Sequence, residues 1–188
     1  MLTTKRVNKK LPEYQEIKYL MKRSFPENEL YSMWFLMLIS KVKKVDFLAY
    51  YDKDQFIGYV YIIKSKKVAY IMYLAINDKL YSHGYGSKIL KDIMKTNNDK
   101  TIVLDIEPID EESSNKDQRE KRYRFYLKNG LKETGYFVED INDGSDYLIL
   151  STTGNFPKEE CSKLLRGLSY GTYKRRYKDR KKQNKKIA

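Results

Sequence analysis

The segment that most constrains this chain runs from Val68 to Thr96. Val68–Ile76 is apolar on both faces, with Tyr70, Met72, Leu74 and Ile76 on one side and Ala69, Ile71, Tyr73 and Ala75 on the other. A strand with two apolar faces belongs at the centre of a sheet. A short polar loop follows, and Gly84-Tyr85-Gly86 then opens a helical segment with an inner stripe of Ile89, Leu90, Ile93 and Met94. A strand that turns through glycine into a helix makes an anion site. The first helical N–H groups have no backbone acceptor, and the helix dipole adds partial positive charge there. Glycine lets the backbone approach a phosphate with no Cβ in the way. A dinucleotide fingerprint needs a third glycine, but Ser87-Lys88-Ile89 follows Gly86. A P-loop needs two glycines five apart and then Lys-Ser/Thr, and this loop lacks that spacing.

The flanking sequence places this segment in a mixed sheet. Apolar spacing predicts helices over Pro12 to Ser24, Glu27 to about Lys43, Gly86 to Thr96, Asp117 to Lys128 and Pro157 to Leu168. The second of these is apolar nearly all round through Met33-Trp34-Phe35-Leu36-Met37-Leu38-Ile39, so it is expected to be largely covered. Strands are predicted over Val45 to Tyr51, Gln55 to Ile63, Val68 to Ile76, Thr101 to Glu107, Leu131 to Asp140 and Asp146 to Thr152. The helix between Val68–Ile76 and Thr101–Glu107 implies a parallel pair with a right-handed crossover. Hairpins on either side imply antiparallel pairing. The fold class expected is α/β (α+β), a single domain with a mixed central sheet, one parallel pair and helices on both faces. The domain is expected over residues 1–155, and 156–188 reads as a C-terminal extension with a basic tail.

Composition narrows the setting. The longest apolar run, Met33 to Ile39, is far short of the ~20 residues of a membrane-spanning helix. No apolar signal segment follows Met1-Leu2-Thr3-Thr4-Lys5-Arg6, so a cytoplasmic location is expected, with no membrane partner. One cysteine, Cys161, permits neither an internal disulfide nor a cysteine-rich zinc site, and no metal is expected. The net charge is +13. Tyr173 to Lys186 carries nine basic residues against Asp179, or +8 of that total. Nucleic acid is a candidate partner for this tail, through phosphate contacts and stacking on Tyr170, Tyr173 and Tyr177. A solvated charge run is the alternative. The extension is also a candidate contact in a homodimer.

The glycine segment resembles the cofactor site of the GNAT superfamily of N-acetyltransferases. In that pattern a strand ending Leu-x-Val leads through a loop to Gln/Arg-x-x-Gly-x-Gly/Ala at a helix start. Leu74 and Ile76 fit the strand, Gly84 and Gly86 the glycines, and Ser87-Lys88-Ile89-Leu90 the helix. Tyr81 departs from it, standing where the family has Gln or Arg, so one side-chain donor to the pyrophosphate is missing. A second match, Phe125-Tyr126-Leu127-Lys128-Asn129-Gly130-Leu131, resembles the family's helix-to-strand segment. The resemblance covers roughly residues 5 to 152 by topology. It implies acetyl-CoA as cosubstrate and direct transfer of the acetyl group to a primary amine in a small molecule or peptide. It further implies pantetheine contacts from the backbone of Leu74 and Ile76. The cradle implied for the pyrophosphate is Ser82, His83, Gly84, Tyr85, Gly86 and Ser87. Alternatives are an RNA- or ribosome-associated protein using the tail, and a non-catalytic acyl-CoA binder.

The resemblance also implies that Tyr126 is the general acid and that the Ile76 N–H polarises the thioester carbonyl. Arg119, Arg122 and Tyr126 fall at i, i+3 and i+7, on one helical face, where the arginines are expected to lower the phenol's pKa or to bind cofactor phosphate. Glu107, at the end of its strand, is the candidate base, through water; pairing with Arg119 or Arg122 is the equal alternative. His83, the one histidine, lies in the cradle loop, remote from the thioester, and reads as a phosphate donor or a solvated residue.

Overall fold

The computed structural model describes residues 2–41, 44–140, 144–169 and 175–179. The chain divides into two compact units, Met1–Lys64 with Ile71–Asn98, and Ser65–Tyr70 with Asp99–Ala188.

The first unit holds β1 (Leu2–Arg6), α1 (Tyr14–Ser24), α2 (Met33–Ile39), β2 (Val45–Asp52), β3 (Gln55–Lys64), most of β4 (Val68–Ile76) and α3 (Tyr85–Thr96). β1–β2 and β2–β3 are antiparallel ladders. Phe56 to Ile63 of β3 are all buried, which puts this strand at the unit's centre. Phe47 and Tyr61 pair across β2 and β3, and the Tyr61 hydroxyl donates to the Leu36 carbonyl of α2 (3.2 Å). Tyr50, three residues from Phe47 and therefore on the other face, donates to Asp92 of α3 (3.0 Å). Helices thus cover both faces, as expected. Ile89, Leu90 and Ile93 of α3 are buried.

The second unit holds the start of β4, then β5 (Thr101–Ile106), α4 (Lys116–Lys128), β6 (Lys132–Asp140), β7 (Asp146–Ser151), α5 (Lys158–Ser169) and β8 (Arg175–Asp179). β4 and β5 pair in parallel over Val68↔Thr101, Ala69↔Ile102 and Tyr70↔Val103. β5–β7, β6–β7 and β6–β8 are antiparallel. Strand order along the sheet is β1-β2-β3-β4-β5-β7-β6-β8, with β4 running through both units.

Four readings change. The helix predicted from Glu27 to Lys43 is a single 3-10 turn, Glu27–Glu29, followed by extended Leu30 and the seven-residue α2. Ser32 starts α2, its hydroxyl accepting from the Phe35 N–H (3.3 Å). Nor is α2 largely covered, because only Met33 and Leu36 are buried. β1 was not predicted; its polar sequence is held by the ladder to β2 and by Arg6, which bonds Ser40 O (3.2 Å) and Asp46 (3.2 Å). β8 takes five residues of the basic tail into the sheet. Lys178 pairs with Asp146 (3.1 Å) and Glu139 (3.2 Å), and Tyr177 packs on Phe156 (5.0 Å between centroids). That packing uses one of the three tyrosines considered for base stacking. Tyr170, Tyr173 and the tail from Arg180 onward lie outside the described residues. Among the described residues, no helix is long and apolar enough to cross a membrane.

Candidate active site

In the first unit the site begins where β4 ends. Ile71, Tyr73 and Ala75 are buried, whereas Met72, Leu74 and Ile76 are only half-buried, so one face of the strand opens towards its C-terminal end. Asn77 terminates it. Its N–H donates to Ile57 O (2.7 Å), its side-chain amide to Glu16 (2.9 Å), and its Oδ1 accepts from the Lys79 N–H (3.3 Å). A 3-10 turn, Asp78–Leu80, follows, tied to α1 by the Arg23–Asp78 ion pair (2.9 Å).

The loop then takes two left-handed residues, Ser82 (φ 66°) and Gly84 (φ 75°). Gly84 is the N-cap of α3, and it has no side chain to satisfy the first turn. Lys88 is the first N–H to find a helical acceptor, the Gly84 carbonyl (3.2 Å). Among the described residues, nothing accepts from the N–H groups of Gly84, Tyr85, Gly86 or Ser87. Such a run of unpaired donors, beside the positive end of the helix dipole, is suited to an oxyanion. Tyr85 anchors the turn by donating to Asp52 of β2 (3.0 Å). The His83 ring lies 2.8 Å from the Tyr81 carbonyl through Nδ1, and both side chains are exposed. Residues 82–84 thus form the turn that leads into the first turn of α3. An extra Cβ at Gly84 meets nothing within 4 Å, so glycine is required there for its φ and not for space.

The second unit carries the titratable groups. Glu107 follows β5, and both its carboxylate oxygens are taken, by Arg119 (3.0 Å) and Arg122 (2.8 Å) of α4. Arg119 also donates to Asn115 (2.7 Å) and Pro108 O (3.2 Å). The paired alternative for Glu107 is therefore the one present. The ion pairs bring α4 and the end of β5 together. Replacing Glu107 by Gln removes the charge shared by two partly buried guanidinium groups; hydrogen bonds to charged groups contribute about 1.5–3 kcal/mol. The expected result is a clear fall in the urea midpoint, with no change in the shape of the pH–rate profile. Loss of an ionisable limb from that profile would instead assign Glu107 the role of base.

Tyr126 lies on α4 with its ring buried (9% exposed), and its hydroxyl has no hydrogen-bond partner among the described residues. Burial pushes the phenol up to about 12, Arg122 pulls it down without offsetting this, and Asp105 adds to the rise. The expected lowering by nearby arginine is thus outweighed by desolvation, and Tyr126 stays a proton donor at neutral pH. The sequence reading passed over the Tyr70–Asp105 hydrogen bond, which ties β4 to β5 just beyond the end of their ladder. A carboxylate on an apolar strand was the signal; its partner was set by the parallel register.

No protein-family model matches the sequence, and no curated protein matches it. Solved structures do match in fold. A GNAT-family acetyltransferase from Bacteroides thetaiotaomicron is 22% identical, with TM-score 0.72, over 90% of this chain and 99% of that one. The aminoglycoside 6'-N-acetyltransferase from Enterococcus faecium is 16% identical, with TM-score 0.59, over 79% of this chain and 95% of that one. Naa50 from Arabidopsis thaliana, solved with a bisubstrate analogue containing CoA, is 22% identical, with TM-score 0.57, over 80% of this chain and 97% of that one. These matches span nearly the whole of each solved chain. This chain has the fold of the GNAT acetyltransferases.

Proposed function

We propose that the protein is an acetyl-CoA-dependent N-acetyltransferase acting on a primary amine of a small molecule or peptide. The observation that carries this reading is the start of α3, in the loop that follows the opening face of β4, where four successive N–H groups lack acceptors among the described residues. In this fold, that turn suits the pyrophosphate of coenzyme A. Gly84 to Ser87 would bind it through the backbone, with His83 and Ser82 alongside, and the backbone of Leu74 and Ile76 would bind pantetheine. Tyr81 contributes no guanidinium or amide there, so the backbone supplies most of the affinity. Arg119 and Arg122, engaged by Glu107, serve the second unit's own structure in this reading.

The thioester supplies an activated acyl group. The neutral amine nitrogen attacks its carbonyl carbon, the C–S bond breaks with its electron pair on sulfur, and the Tyr126 hydroxyl gives that sulfur its proton. The Ile76 N–H stabilises charge on the carbonyl oxygen. The surplus proton on the new amide nitrogen returns to the Tyr126 oxygen.

Calorimetric titration with acetyl-CoA and with NAD tests the reading: heat is expected with the first and none with the second. Gly84→Ala forces an L-residue into a left-handed conformation at a cost of about 1–2 kcal/mol. Acetyl-CoA should accordingly bind roughly tenfold more weakly to that variant. Absence of binding to the unmodified protein would overturn the assignment.

A further inference from the structure

We infer that His83 supplies the side-chain cation for the coenzyme's diphosphate, and that it gains this charge on binding: the arriving anion draws a proton onto the imidazole. The inference rests on the coenzyme reading of the start of α3 and adds to it a side-chain contact and a dependence on pH.

The backbone donors from Gly84 to Ser87 are uncharged, whereas the diphosphate is an anion. Where the family pattern adds Gln or Arg, this chain has the exposed Tyr81. His83 directly precedes Gly84, the N-cap of α3. Its Cα therefore lies about 3.8 Å from that of the first cradle glycine. The ring is held in place. Ser82, a residue with a side chain, takes the left-handed conformation (φ 66°), and His83 Nδ1 closes the turn 2.8 Å from the Tyr81 carbonyl oxygen, two residues back. A carbonyl oxygen only accepts, so the hydrogen of the neutral ring sits on Nδ1. Nε2 is left with a lone pair, and it has no partner among the described residues. A lone pair turned to an oxyanion repels it. A proton on Nε2 makes it a donor and adds a positive charge, and such charge-assisted bonds are roughly twice as strong as neutral ones.

The other charged groups around the loop leave this role to His83. Arg23 of α1 pairs with Asp78 (2.9 Å), Asp52 of β2 accepts from Tyr85 (3.0 Å), and Lys88 of α3 lies over the Tyr85 ring (4.6 Å). Lys79 is exposed in the same loop. Lysine, arginine and aspartate ordinarily keep their charge from pH 6 to pH 8, whereas imidazole changes its charge there. Among the described residues no carboxylate pairs with His83, so its positive form has no counter-ion until an anion binds. Because the bound state holds more protons, affinity rises as pH falls, and it levels off once the free ring is already charged.

Calorimetric titration of the full chain with dephospho-coenzyme A tests this. That probe lacks the 3′-phosphate, a monoester that itself takes up a proton at about pH 6, so any proton taken up belongs to the protein. Paired buffers of different ionisation enthalpy should show net uptake of about half a proton per site at pH 7, with binding about fivefold tighter at pH 6 than at pH 8. His83 is the only histidine, so its ring protons give a single pair of proton resonances. Their titration midpoint should move to higher pH in the saturated protein. His83→Gln keeps an amide but cannot titrate in this range, and it should bind with no proton uptake and the same affinity at both pH values. Circular dichroism controls for its folding, and the measurements on the parent stand without it. Binding without proton uptake overturns the inference alone, as does a resonance whose midpoint ignores the ligand or a pH dependence that survives in His83→Gln. Absence of binding to the parent at either pH overturns the coenzyme reading and this inference with it.

Discussion

Gly58→Ala is expected to destabilise the protein by about 3–5 kcal/mol, a large part of the roughly 5–15 kcal/mol that holds a domain folded. A Cβ at Gly58 would lie 2.2 Å from the Ala75 carbonyl oxygen and 3.0 Å from the Ile76 Cα. Both are backbone atoms, so no rotamer change relieves the clash. β4 would have to move away from β3 where Asn77 N–H donates to Ile57 O (2.7 Å), the bond that ends the strand. The cost is therefore overpacking together with loss of ladder hydrogen bonds. Urea denaturation measures it; a midpoint unchanged from the parent would show that the strands separate freely. Any folded fraction should also bind acetyl-CoA less well, because the displaced segment includes Ile76.

Tyr126→Phe should lower kcat by about 100-fold or more, within the range of a lost general acid, while KM for acetyl-CoA changes little. Stability should hardly change, because the hydroxyl removed has no protein partner whose loss would leave a group unsatisfied. A tyrosine with a purely structural role would do the opposite, leaving kcat in place and shifting the melting temperature. The pH dependence gives a second readout. Burial holds the phenol at about 12 instead of its ordinary 10.0, so the donor form persists through pH 10. An alkaline fall in kcat caused by this group should begin only above that pH, and it should be absent in Tyr126→Phe. Turnover equal to the parent's would remove Tyr126 from the chemistry.

Much of the fold was legible because it rests on local pattern. The two-faced apolar run of β4, the stripe of Ile89, Leu90 and Ile93, and the order of strands and helices all follow from hydrophobic periodicity. The glycine turn was legible for a related reason: a left-handed N-cap without a side chain asks for glycine, and Gly84 is one. Gly58 carried a readable signal that went unused, since a lone glycine inside a strand marks close approach of another backbone. α2 misled because seven apolar residues in a row imply burial by composition, whereas burial depends on what packs against each side. β1 and β8 were missed because edge strands are held by ladder bonds and ion pairs to partners distant in sequence, and their own residues, LTTKR and RRYKD, are polar.

At the candidate site the division is similar. The sequence by itself determined the backbone donors at the start of α3 and the helical face shared by Arg119, Arg122 and Tyr126, because both are set within a few residues of chain. Only the tertiary structure decided that both arginines hold Glu107, that Tyr126 is raised and not lowered in pKa, and that Trp34 faces solvent. Ion pairing, desolvation and exposure depend on neighbours brought from elsewhere in the fold. Periodicity shows which way a side chain points, but not what it meets.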